Sequence, residues 1–169
     1  MKKIRDYNGQ GRWSRESILR RFESYSKTFG TTVDKLESRS HEEGLGKRIY
    51  PLIEAVIDGI EKQDPACIEL GIELIEDNDP MPFGKILKSN AARGLRRSAD
   101  KLTEDQRRRI RKRVGDMLIT QYMPREFVQY VKLARTINFK EEISRVKSEA
   151  DLDNRWVAHY LERLENEMK

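Results

Sequence analysis

The chain has 169 residues, 37% of them apolar and another 37% charged, with a net charge of +5. Such a length is one domain's worth and buries a contiguous core without covalent help, while the lone Cys67 excludes an internal disulfide framework. No window approaches the roughly 18 apolar residues that span a bilayer, and the first thirty residues lack the apolar stretch of a secretory signal. The expectation is therefore a soluble, cytoplasmic protein with no membrane partner.

Residues 1–12, with Gly9 and Gly11, read as a flexible N-terminal lead-in to a single helical domain over 13–169. From Ser14, the residues Ile18, Phe22, Tyr25 and Phe29 recur at spacings of three and four, and Gly30 is a stop signal. Residues 31–46 fade into SRSHEEGLG, a predicted loop with His41 on the surface. Ile49, Leu52, Ile53, Val56, Ile57 and Ile60 then form a wide apolar face, with Pro51 tolerated in the first turn. Asp64-Pro65 supplies an N-cap followed by proline at the first helical position. The helix so opened is apolar around most of its circumference, which predicts a central position. Its Glu69, Glu73 and Glu76, with Asp77 and Asp79 beyond, read as a solvated face without the Glu-x-x-His pattern of a carboxylate metal site.

After DNDPMP a helix is predicted from Phe83 to Ala99, in which the small residues Ala91, Gly94 and Ser98 should admit a neighbouring backbone. Thr103 and Gln106 form a capping box that opens the next helix, running to about Met123. Pro124 begins another, with Phe127, Val131, Ala134 and Ile137 inward. Asn138 and Glu141 frame a short helix carrying Ile143 and Val146. Asp153 is placed to cap the last, striped by Trp156, Val157, Tyr160, Leu161, Leu164 and Met168. Trp13, Trp156 and Tyr160 read as packing residues. No segment alternates with period two long enough to argue a strand. The predicted fold is all-α, about seven or eight helices in stacked antiparallel hairpins, as an α-solenoid or an irregular bundle.

Between Gly46 and Ile137 the successive helix pairs of about 35 to 45 residues, with the Asp64-Pro65 opening, resemble HEAT-like helical repeats. The resemblance covers about half the chain and lacks the ladder of Asp and Arg typical of such units. It implies a helical surface that binds extended partners.

Charge is distributed in blocks. Residues 34–84 carry 5 Lys/Arg against 13 Asp/Glu, and residues 85–113 carry 12 against 3. The stretch TEDQRRRIRKRV, residues 103–114, is the densest part. If the helices on either side of Lys101 pack antiparallel, Arg93, Arg96, Arg97, Lys101, Arg107, Arg108, Arg111 and Lys112 gather at one end as a docking site for an acidic macromolecule. Arginine suits bidentate contact to phosphate or carboxylate, and nucleic acid is placed slightly ahead of an acidic protein. The competing reading is a solvated helix face on which Glu104, Asp105 and Asp116 offset the arginines.

No catalytic residue, cofactor or metal is indicated. His41 and His159 are far apart in sequence, and Cys67 on an apolar helix reads as an inert core thiol. The sequence therefore points to a non-enzymatic helical binding or adaptor module. The alternatives are a helical-repeat enzyme acting on nucleic acid, and a scaffold that self-associates through its acidic and basic segments.

Overall fold

Caps and proline set several helix starts of this computed structural model, which describes residues 2–166. Helix α1 (Arg15–Phe29) begins at Ser14, whose hydroxyl accepts from the Ser17 amide at 3.2 Å, and ends at Gly30 with φ 85°. Helix α2 (Ile53–Glu61) is followed by α3 (Pro65–Glu76), capped by Asp64. One Asp64 oxygen accepts from the Cys67 amide at 2.9 Å. The other takes the Thr31 hydroxyl and the Thr32 amide, each at 2.7 Å, so the same carboxylate starts α3 and pins the segment leaving α1. Helix α4 (Gly84–Arg97) leads through a short 3-10 turn, Ala99–Lys101, into α5 (Glu104–Ile119), where both hydrogen bonds of the Thr103/Gln106 capping box are present. Helices α6 (Phe127–Thr136), α7 (Lys140–Glu149) and α8 (Arg155–Asn166) complete the order.

The helices pack with their second neighbours. Helices α2, α4, α6 and α8 form one row in which each touches the next, α1, α3, α5 and α7 form the other, and α3 contacts α1, α2, α4 and α5. Ten of the twelve α3 residues are buried, so the predicted central helix is central. Ile60 of α2 plugs the seam between α3 and α4 at two glycines. A Cβ on Gly71 would lie 2.4 Å from its Cδ1, and one on Gly94 would lie 2.9 Å from its Cγ2. Ser98 donates to the Ile60 carbonyl at 3.0 Å. No helix among the described residues is long and apolar enough to cross a membrane.

Several expectations are corrected. Within the predicted lead-in, Lys3–Asp6 is strand β1. The predicted loop holds β2 (Ser40–Glu43), and β3 (Gly46–Ile49) replaces the first turn expected of α2. The sheet order is β1-β3-β2, with β1 parallel and β2 antiparallel to β3. Every residue of β1 and β2 is exposed, so no apolar alternation marks these strands. His41 accordingly lies on a strand rather than in a loop. The α8 cap is Asn154, accepting from the Trp156 and Val157 amides, rather than Asp153. Trp156 is 51% exposed rather than packed, whereas Trp13 is 1% exposed. Met168, expected in the α8 stripe, lies outside the described residues.

Candidate nucleic-acid interface

The arginine run on α5 is almost wholly engaged within the chain. Arg107 donates to the Ala99 carbonyl at 2.8 Å and to Leu102 at 3.3 Å. Arg108 pairs with Asp105, three residues earlier, and Lys112 with Asp116 at 2.8 Å, four residues later. Arg109 reaches across to α3 and bonds Glu69 and Glu76, each at 2.5 Å. Burial opposes its charge, but the two carboxylates outweigh burial and hold the guanidinium above its ordinary range. Arg113 donates to the Ile75 carbonyl at 2.9 Å and to Asn78.

Arg111 departs furthest from its expected place in a docking site. Its side chain is 5% exposed, paired with Glu104 and with Glu141 at 3.2 Å, and it caps the carbonyls of Ile137 at 3.3 Å and Asn138 at 3.4 Å. An arginine so placed closes the end of α6 and positions α7. It is not available to a ligand.

The acidic side of α3 is likewise interior, against its expected solvation. Glu69 and Glu73 are each 6% exposed. Glu73 accepts from Arg21 and the Tyr25 hydroxyl and pairs with Arg12 at 3.1 Å; Gln106 donates to Glu69 at 3.0 Å. Burial first, and the Glu73 carboxylate second, push the Tyr25 hydroxyl up to about 12. These carboxylates sit between α1, α3 and α5, where Arg12 and Arg21 neutralise Glu73 and Arg109 of α5 neutralises Glu69 and Glu76.

Geometry also separates the eight predicted site residues. Although α4 and α5 are consecutive, they are not packed along one another: each contacts α3, then α4 turns to α6 and α5 to α7. Their connection through the 3-10 turn spreads them into different rows. Arg97 pairs with Glu61 of α2, and Lys101 approaches Asp100 at 4.0 Å. Arg93 has only a 2.9 Å hydrogen bond to Asn90, and Arg96 has no charged partner among the described residues.

Arg93 belongs instead to a groove between α4 and α6. Lys85, Ile86, Ser89 and Arg93 line one wall and Arg125, Val128 and Gln129 the other, around a cavity of about 490 Å³. The lining includes three cations and no carboxylate. Lys85 and Arg125 are exposed and form no ion pair among the described residues. Arg96 follows Arg93 by three residues and Lys132 follows Val128 by four, which continues the same two helix faces. Three cations thus line the groove with no carboxylate among its lining residues, and two more follow on the same helices with no ion pair among the described residues.

A readable signal for this groove was present. Residues 80–99 contain Lys85, Lys88, Arg93, Arg96 and Arg97 and no Asp or Glu, and Lys85, Lys88 and Arg93 have no acid within four residues, whereas each α5 cation except Arg111 has one. Density of positive charge drew attention to α5, but the absence of nearby acids marks α4. Lys88 is the exception on α4: it is buried, which pushes its amine below the ordinary value, and it donates to the Asp77 carbonyl at 2.7 Å. Arg125 and Lys132 lie 26 residues or more beyond residue 99, and only the packing of α6 on α4 brings them in.

No family model, curated protein or solved structure matches the chain.

Proposed function

We propose that the protein is a non-enzymatic helical binding module whose α4–α6 groove engages the phosphate backbone of a nucleic acid in the cytoplasm. The observation that carries this reading is the convergence of Lys85, Arg93 and Arg125 on a groove lined by no acid. Cations without internal partners lose no ion pair on binding phosphate, while guanidinium groups offer paired donors to it. Packing of each helix on its second neighbour is what a HEAT-like stack would produce, and it supports an extended ligand running across several helices.

Anisotropy titration of a labelled oligonucleotide at several salt concentrations tests the proposal. With five cations engaged, the slope of log K against log salt is about −3.5 for a single strand and about −4.5 for a duplex. Lys85→Glu with Arg125→Glu should weaken binding more than tenfold. Arg108→Glu with Lys112→Glu should leave it unchanged, because those side chains belong to another surface. Equal loss from both pairs, or no binding by the unaltered protein, overturns the groove as the site.

A further inference from the structure

The ends of α4, α6 and α8 nearest this groove present aromatic side chains, and we infer that they stack the bases of a single strand. The inference rests on the phosphate-binding reading of the groove and adds what the ligand must expose. Phe83 immediately precedes α4, Tyr122 lies in the turn leading to α6, and Trp156 is the second residue of α8. They are 47%, 42% and 51% exposed, unusual for side chains of this size. Five of the eight large apolar side chains exposed among the described residues belong to these three segments, with Ile86 and Leu152 completing the set.

Contacts hold the three segments at the same end of the row. Tyr122, Pro124 and Glu126 share a cleft with Met81, Gly84, Lys85 and Lys88. Gln121, next to Tyr122, accepts from the Asn154 side chain at 2.9 Å, two residues before Trp156. Phe127 meets Tyr160 edge-on with centroids 4.9 Å apart, which fixes the start of α6 against α8. Phe83 is propped on Tyr7 at 5.3 Å. Arg155 covers one side of Trp156, 4.7 Å from the ring centroid, leaving the indole half exposed.

A cation lies near each ring in sequence: Lys85 two residues after Phe83, Arg125 three after Tyr122, and Arg155 next to Trp156, over whose ring it sits. Asp79, Asp151 and Asp153 are exposed in the same loops, and the five groove cations outnumber them. Alternation of ring and cation is the arrangement that binds unpaired bases together with their backbone, since every base has a face to stack and every nucleotide a phosphate. With neighbouring helices about 10 Å apart, a strand crossing all three ends runs about 20 Å. A duplex keeps its bases stacked on each other and offers these rings nothing.

Intrinsic fluorescence reads the stacking directly, because Trp13 is buried at 1% exposure and Trp156 is not. A short thymidine oligonucleotide should quench Trp156, while heparin, an anion without bases, should bind the groove without quenching. Trp156→Ala and Tyr122→Ala should each weaken oligonucleotide binding about tenfold and leave heparin binding unaltered; Trp156→Phe should retain it. If the single strand binds but both alanine variants bind it as the unaltered protein does, the stacking inference falls and the groove stands. If a duplex of the same length binds as tightly as the single strand, it falls equally. If Lys85→Glu with Arg125→Glu has no effect on either ligand, both readings fall.

Discussion

Arg109 of α5 and Glu69 of α3 form an ion pair at 2.5 Å in which the carboxylate is 8% exposed. Removing the arginine leaves a buried charge with only Gln106 beside it, so Arg109→Met should destabilise by about 3 kcal/mol. Arg109→Met with Glu69→Met should cost less than that single change, because apolar pairs replace buried ions well when both members go. Urea denaturation of the three proteins checks the order.

The two classes of α5 cation should separate in a stability experiment. Arg111→Ala strips partners from two carbonyls and opens the α6–α7 corner, with an expected loss of about 2 to 3 kcal/mol. Arg108→Ala and Lys112→Ala break exposed pairs three and four residues apart, and each should cost under about 0.5 kcal/mol. Thermal melting of the single variants distinguishes them.

Gly59 lies in α2, where alanine is ordinarily better by about 1 kcal/mol. Here the added Cβ would fall 2.3 Å from the Cys67 Sγ and 2.9 Å from its Cβ. Overpacking should dominate, leaving Gly59→Ala less stable by about 1 to 2 kcal/mol. Adding Cys67→Ala removes the nearer atom and should restore part of the loss, measurable as a rise in melting temperature over Gly59→Ala alone.

Acid should unfold the protein through a small set of carboxyls. Burial works to raise Asp64, but hydrogen bonds from Cys67, Thr31 and Thr32 outweigh it and hold the group below its ordinary value. Asp116 is depressed in the same way: Lys112 and Arg145 overcome burial. Their stabilising contribution is complete above the unfolded value of about 3.9 and is lost as pH falls through the lower folded values. The urea midpoint should therefore stay level down to about pH 5 and drop below about pH 4. Asp64→Ala should cost about 2 kcal/mol at neutral pH and flatten that acid slope.

Helices with apolar stripes or side-chain caps were legible from residue order: Ser14, Asp64 and the Thr103/Gln106 pair are where the structure has them. The sheet was not, because strands of four residues with wet faces carry no period. Nor was the engagement of Arg109 and Arg111, most of whose partners lie 26 to 40 residues away and meet them only through second-neighbour packing. Positive charge is densest on α5, whereas Lys85 and Arg93 of α4 are among the cations with no acid three or four residues away.

Because each helix leans on the one two places away, interactions among the helices are arranged in a line. In such a row a rotation at one seam is passed on only to the next helix. The α8 end can open while α2 and α3 stay shut, so amide exchange should be graded along the row rather than uniform.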